Sequence, residues 1–173
     1  GYVCDCSVTP HIDWKTSPGE TRGAVGSDYS GFPEEPYEVD ADGGRLIEVP
    51  LTVRGTHALI APSVYGAKPV AKSILNVARG QALQLRPNGR NLNELLWLAD
   101  HVARSDSGYL MFMLHSSEFM PGGSPMFRTE EDIEGLYAQL DVLFGRLAGG
   151  YEGMTIGDYA RSIARGLRRG GGR

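Results

Sequence analysis

The residue best suited to proton chemistry in this sequence is His115. It closes an apolar run at 108–114, and Ser116, Ser117 and Glu118 follow it. An imidazole titrates near neutrality, so at the end of a strand it can donate a proton to a leaving group. Strand alternation puts Tyr109, Met111, Met113 and His115 on one face, with Met113 as an apolar wall beside the ring. A second polar group, Asp13–Trp14, follows the strand-like run at 2–8. A carboxylate facing His115 would favour the imidazolium and hold the ring in place. The indole offers a flat wall for a sugar or an acyl group. The plain alternative is a histidine satisfied by backbone hydrogen bonds where a strand ends, and an Asp–Trp pair that simply belongs to a loop.

Two further constellations can be drawn. Cys4, Cys6, His11 and Asp13 give a C-x-C-x4-H-x-D array of metal-ligating types. Both cysteines fall inside the strand rather than in the loop with His11, and the spacing fits no common zinc pattern. Ser116 and Ser117 lie next to His115 in sequence, a poor position from which to be activated by it, and no G-x-S-x-G elbow is present.

The elements that would position these groups are read from periodicity and caps. Residues 2–8 (YVCDCSV) read as a strand, followed by a polar loop at 9–14 and a long Gly-, Pro- and acid-rich segment at about 15–44. Residues 45–53 read as a strand that Pro50 pushes towards an edge or an early end. A helix is expected within 63–80, and 81–90 has no clear period. Asn91 with Glu94 marks the start of a helix that runs on through Leu95, Leu96, Ala99 and Val102. Residues 108–115 (GYLMFMLH) read as a buried strand. Thr129 caps a helix whose first turn is acidic and whose apolar face is Ile133, Leu136, Tyr137, Leu140, Leu143, Phe144 and Leu147. A short strand at 153–156 and a last helix through Tyr159, Ile163 and Leu167 complete the pattern. Alternation of helices with buried strands predicts an α/β fold, in which chemistry gathers at the carboxyl ends of strands. The polar clusters at 9–14 and 115–118 both fall at such ends.

Composition bounds the function. The chain has 173 residues, 41% hydrophobic and 22% charged, which is globular, and its 24 glycines follow no collagen-like period. No run reaches the roughly 18 apolar residues of a membrane span. The net charge of −4 is uneven: residues 161–173 carry five arginines and no acid, leaving twelve bases and twenty-one acids elsewhere. An acidic body argues against nucleic acid as a partner, and the basic tail is expected to be a solvated, fraying helix end. Two cysteines two residues apart suit a disulfide poorly and lean towards a reducing, cytoplasmic compartment. The chain opens directly into strand-like sequence, without methionine or a signal segment, as if its start were missing.

Residues 2–14 (YVCDCSVTPHIDW), 28–37 (DYSGFPEEPY), 46–52 (LIEVPLT) and 113–127 (MLHSSEFMPGGSPMF) resemble, in this order, the second half of the polysaccharide deacetylase family. The resemblance covers about residues 2–160. It implies the C-terminal portion of a distorted (β/α) barrel and a metal-dependent hydrolase that removes acetyl groups from N-acetylated sugars. In that family zinc or another divalent metal polarises the amide carbonyl and activates water. An aspartate acts as base and a late histidine protonates the leaving amine. His115 matches that histidine, Asp13 the carboxylate that tunes it, and Trp14 the aromatic wall of the groove. Met113 stands where the family usually has a leucine against the acetyl methyl.

The family's early Thr-Phe-Asp-Asp and His-x3-His motifs supply the base and the metal ligands. Neither is here: no Asp-Asp pair occurs, and the histidines are His11, His57, His101 and His115. The expectation is therefore a barrel fragment that needs no cofactor of its own and is inactive alone. Its expected partners are a carbohydrate and, because unpaired sheet edges promote association, a second copy or the missing half. From a different class comes a non-catalytic carbohydrate-binding or interaction module derived from such an enzyme. A third reading, nucleic-acid binding by the tail at 161–173, predicts salt-sensitive retention on DNA.

Overall fold

In the computed structural model, which describes residues 2–16, 26–41, 43–56 and 81–170, the chain divides into two units. The first comprises Gly1–Val53 with Glu152–Arg173, and the second Arg54–Tyr151. The structure is mixed α/β. Among the described residues it has three longer helices and two small sheets, and these do not close into a barrel.

In the first unit, β1 (Cys4–Asp5) lies parallel to β3 (Gly44–Glu48), and β2 (Tyr37–Ala41) pairs antiparallel on the other side of β3. The parallel ladder continues beyond β1. Val49 N–H donates to the Asp5 carbonyl (2.9 Å) and Leu51 N–H to that of Val8 (3.0 Å), so the first chain advances three residues against two. That extra residue bends the chain just before the polar loop at 9–14. Val8, Ile47, Val49 and Leu51 are buried beside this ladder. The α-helix Ile156–Gly170, α3 in chain order, packs against β1 and β3 and buries Ala160.

β4 (Val53–Thr56), which enters the second unit at Arg54, pairs with β5 (Gln81–Gln84) in a two-stranded sheet, and the second unit's helices α1 (Leu92–Ala103) and α2 (Glu130–Leu147) pack on each other. One apolar cluster joins Leu83 and Leu85 to Leu95, Leu98, Val102 and Leu143; a second joins Phe127 to Ile133, Leu136 and Leu140. Thr129 caps α2 as expected: its Oγ1 accepts the Asp132 N–H while the Asp132 carboxylate accepts the Thr129 N–H.

Several expectations change. The segment at 15–44 is not structureless where it is described: it holds β2, which returns to β3 through Gly43 at φ 96°, a left-handed position that suits glycine. The strand expected over 45–53 splits around Pro50 into β3 and β4. Residues 81–84, unread by period, form β5.

The strand expected over 108–115 is not among the strands of the described residues. Its alternation survives: Leu110 and Leu114 pack on the two clusters, and the Phe112 ring meets Phe144 at 5.4 Å.

The strand expected at 153–156 is instead the entry to α3, because Thr155 Oγ1 accepts the Asp158 N–H and caps that helix. The helix runs through Arg161 and Arg165 to Gly170, so the basic tail is largely helical. Asn91 starts α1 without capping it by its side chain. Its amide instead accepts from Asn88 N–H and Gln139 Nε2, pinning the approach to α1 against α2. The helix expected within 63–80 lies outside the described residues. Among the described residues no helix is long and apolar enough to cross a membrane.

Candidate functional site

The loop carrying Asp13 and Trp14 is fixed from both sides within the first unit. On the incoming side Val8 N–H donates to Glu48 Oε1 at 3.0 Å, and Trp14 Nε1 donates back to Thr9 Oγ1 at 2.6 Å. On the outgoing side Trp14 N–H donates to the Ser27 carbonyl and Tyr29 N–H to that of Ile12, so that Asp13 and Asp28 form an antiparallel bridge. Gly26 comes close enough to the Trp14 main chain that a Cβ there would lie 2.4 Å from its carbonyl oxygen. Asp13 is half-buried, and its Oδ1 accepts the Lys15 N–H. The Ser30 hydroxyl and N–H, with Lys15, hold the Asp28 carboxyl down at about 2. Asp28 therefore stays ionised across the working range and keeps its bonds.

His11 stands out in this loop. Its φ of 65° makes it the one non-glycine residue in the left-handed region among those described. Such a backbone costs of order 1–3 kcal/mol and persists where surrounding contacts over-determine it. Here the contact is Glu34, whose Oε1 meets His11 Nε2.

Beneath the loop, Asp5, Glu48 and Tyr37 form one row across the sheet. Glu48 is 2% exposed. Burial pushes its carboxyl up, the Val8 N–H opposes this, and Asp5 adds to the rise. Burial, followed by the same carboxylates, also pushes up the Tyr37 phenol, and the Cys6 thiol rises for like reasons. Cys4 and Cys6 are both free thiols.

His115 lies in the second unit, exposed, at the N-terminus of a short 3-10 turn, Ser116–Phe119. Its N–H donates to Glu118 Oε2 at 2.8 Å, while the Glu118 N–H donates to its carbonyl at 2.9 Å. The other oxygen of Glu118 takes Arg86 Nη2 at 2.8 Å. Burial alone would raise the Glu118 carboxyl, but the His115 N–H and the Arg86 guanidinium outweigh it and hold the group below the usual carboxylate range. His115 is thus exposed on a main chain that is anchored from the interior. Met113, two residues earlier, is half-buried.

Asp13 and Trp14 belong to the first unit, and Met113 and His115 to the second. The drawn metal array does not form, because His11 turns to Glu34. Among the described residues no three of His, Cys, Asp and Glu gather where one cation could be held, so these residues do not fit the divalent metal that the resemblance implies.

The supporting acids Glu118, Glu48 and Glu34 were not singled out by the sequence. A carboxylate three residues after the end of a strand is a capping signature, and a lone acid inside LIEVPLT is a signal too. Nothing local marks Arg86 or Glu34.

No family model, curated protein or solved structure matches the chain.

Proposed function

We propose that this chain carries the acid side of a polysaccharide deacetylase-like site, in a hydrolase that removes acetyl groups from N-acetylated sugars. The observation that supports this most is the exposed His115 ring on a main chain anchored by the buried Glu118 carboxylate and Arg86. In this reading His115 protonates the departing amine with Met113 as the apolar wall on its own segment, while Asp13 and Trp14 match, by the resemblance, the family's carboxylate and aromatic residue. The fold is the C-terminal portion of a distorted (β/α) barrel. The base and the metal ligands belong to residues this sequence does not contain, since it has neither an Asp-Asp pair nor a His-x3-His pair. No step through a metal is assigned to the residues described, and the chain alone is not expected to cleave amides.

A second reading is a non-catalytic carbohydrate-binding module, favoured by the lack of those motifs beside an intact Asp13–Trp14 loop. Titrating the purified chain with N-acetylated oligosaccharides, with and without zinc, separates the two. Binding indifferent to zinc, with no acetate released even when a chain bearing the two missing motifs is supplied, favours the module. Acetate release that needs zinc, that added chain and His115 favours the deacetylase. Failure to bind any N-acetylated sugar overturns both.

A further inference from the structure

We infer that the His11–Glu34 pair is a latch that positions Asp13 and Trp14, making both members positioning residues for the proposed site. The inference rests on the reading of Asp13 and Trp14 as site residues, and it adds two residues that reading does not use. Three observations within the first unit carry it.

His11 adopts φ 65°, a conformation that reverses the chain direction between Pro10 and Ile12 and that a β-carbon resists. Its Nε2 meets Glu34 Oε1, bringing together positions 23 residues apart, with both side chains about one-third exposed. Between these two points the strands of the loop are stitched by the Trp14–Ser27 and Tyr29–Ile12 main-chain bonds and the Asp13–Asp28 bridge. The segment at 26–34 therefore closes back on the loop at 11–14 at two places, the bridge and the latch. Asp13 is itself part of the bridge, two residues from the latch, and Trp14 follows it.

An exposed histidine and glutamate add little to stability as a surface ion pair. They can still select one conformation of a strained turn, since opening the pair lets His11 relax to negative φ and carries Asp13 and Trp14 with it. A sugar meeting a loop already held open to it loses less freedom on binding.

The test uses the full chain in a Trp97→Phe background, which leaves Trp14 as the reporter of the two tryptophans. The variants are Glu34→Ala, His11→Gly and the double variant. Glycine keeps the left-handed turn without strain and removes only the imidazole, so a fold defect from the bend itself does not obscure the result.

Each single variant is expected to raise acrylamide quenching of Trp14 about twofold, as local opening exposes the ring. The double variant should show no more than either single one, because both break the same contact. Where the parent binds an N-acetylated oligosaccharide, both singles should weaken it by roughly tenfold through lost preorganisation. Unchanged quenching in both singles, or additive effects in the double, overturns the latch. Altered quenching in a chain that binds no saccharide upholds the latch and removes the sugar-site reading. Undiminished saccharide binding with unmoved Trp14 does the reverse.

Discussion

Glu118 and His115 hold each other through the main chain: the Glu118 carboxylate accepts the His115 N–H at 2.8 Å, and the Glu118 N–H returns a bond to the His115 carbonyl at 2.9 Å. Because the carboxylate is 2% exposed and bound to Arg86, the histidine's backbone is tied to the interior while its ring stays outside. In the proposed role the main chain of His115 is already ordered before a substrate arrives.

Removing the anchor should therefore be costly. Glu118→Ala leaves the His115 N–H and the Arg86 guanidinium without their partner, and is expected to destabilise the second unit by about 3 kcal/mol. Urea unfolding followed by Trp97 emission measures it; a loss well under 1 kcal/mol would show that the pair does not anchor the turn.

The two buried carboxyls should give opposite pH responses. Glu118 is lowered in the folded state, so its contribution is present above the unfolded carboxyl range and is lost as pH falls through its folded value. Glu48 is raised, so its contribution is full below the unfolded range and is lost as pH rises through its folded value. Glu118→Gln should flatten the acid limb of stability below about pH 4.5. Glu48→Gln should flatten the limb above it while keeping an acceptor for the Val8 N–H. Stability curves from pH 2 to pH 8 on the three proteins check both signs.

In an enzyme that joins this chain to the metal-ligating and base residues, His115→Ala should lower turnover by about 10²–10⁴. Zinc content, read by elemental analysis, should be unchanged. Loss of bound zinc instead would make His115 a ligand and end its assignment as proton donor.

Gly26→Ala places a Cβ 2.4 Å from the Trp14 carbonyl oxygen, where main chain rather than a flexible side chain must yield. Separation of the two segments should destabilise the first unit by about 1–3 kcal/mol. Near-UV circular dichroism of Trp14 should weaken in parallel. An unperturbed spectrum would mean that the Trp14–Ser27 contact does not govern the indole.

Much of the local structure was legible because its causes are local. The capping box of Thr129 and Asp132, the apolar stripe of α2 and the alternation of Leu110, Phe112 and Leu114 all depend on residues within a turn or two of one another. The same locality misled at Asn91, whose side chain is taken by Asn88 and Gln139, and at 153–156, where Thr155 starts a helix. In the first case a distant residue outcompeted the cap. In the second Thr155 acts as a helix cap rather than as a strand residue.

Residue types and their order are enough to single out His115, Asp13 and Trp14 as candidates for chemistry, with Met113 as an apolar wall beside the histidine. Which partners hold them came from folding alone. Arg86 meets Glu118 across 32 residues, Glu34 meets His11 across 23, and Glu48 meets the Val8 N–H across 40. No periodicity links such positions, because a hydrogen bond between residues distant in sequence depends on where the chain returns in space, and that is set by the packing of the whole unit.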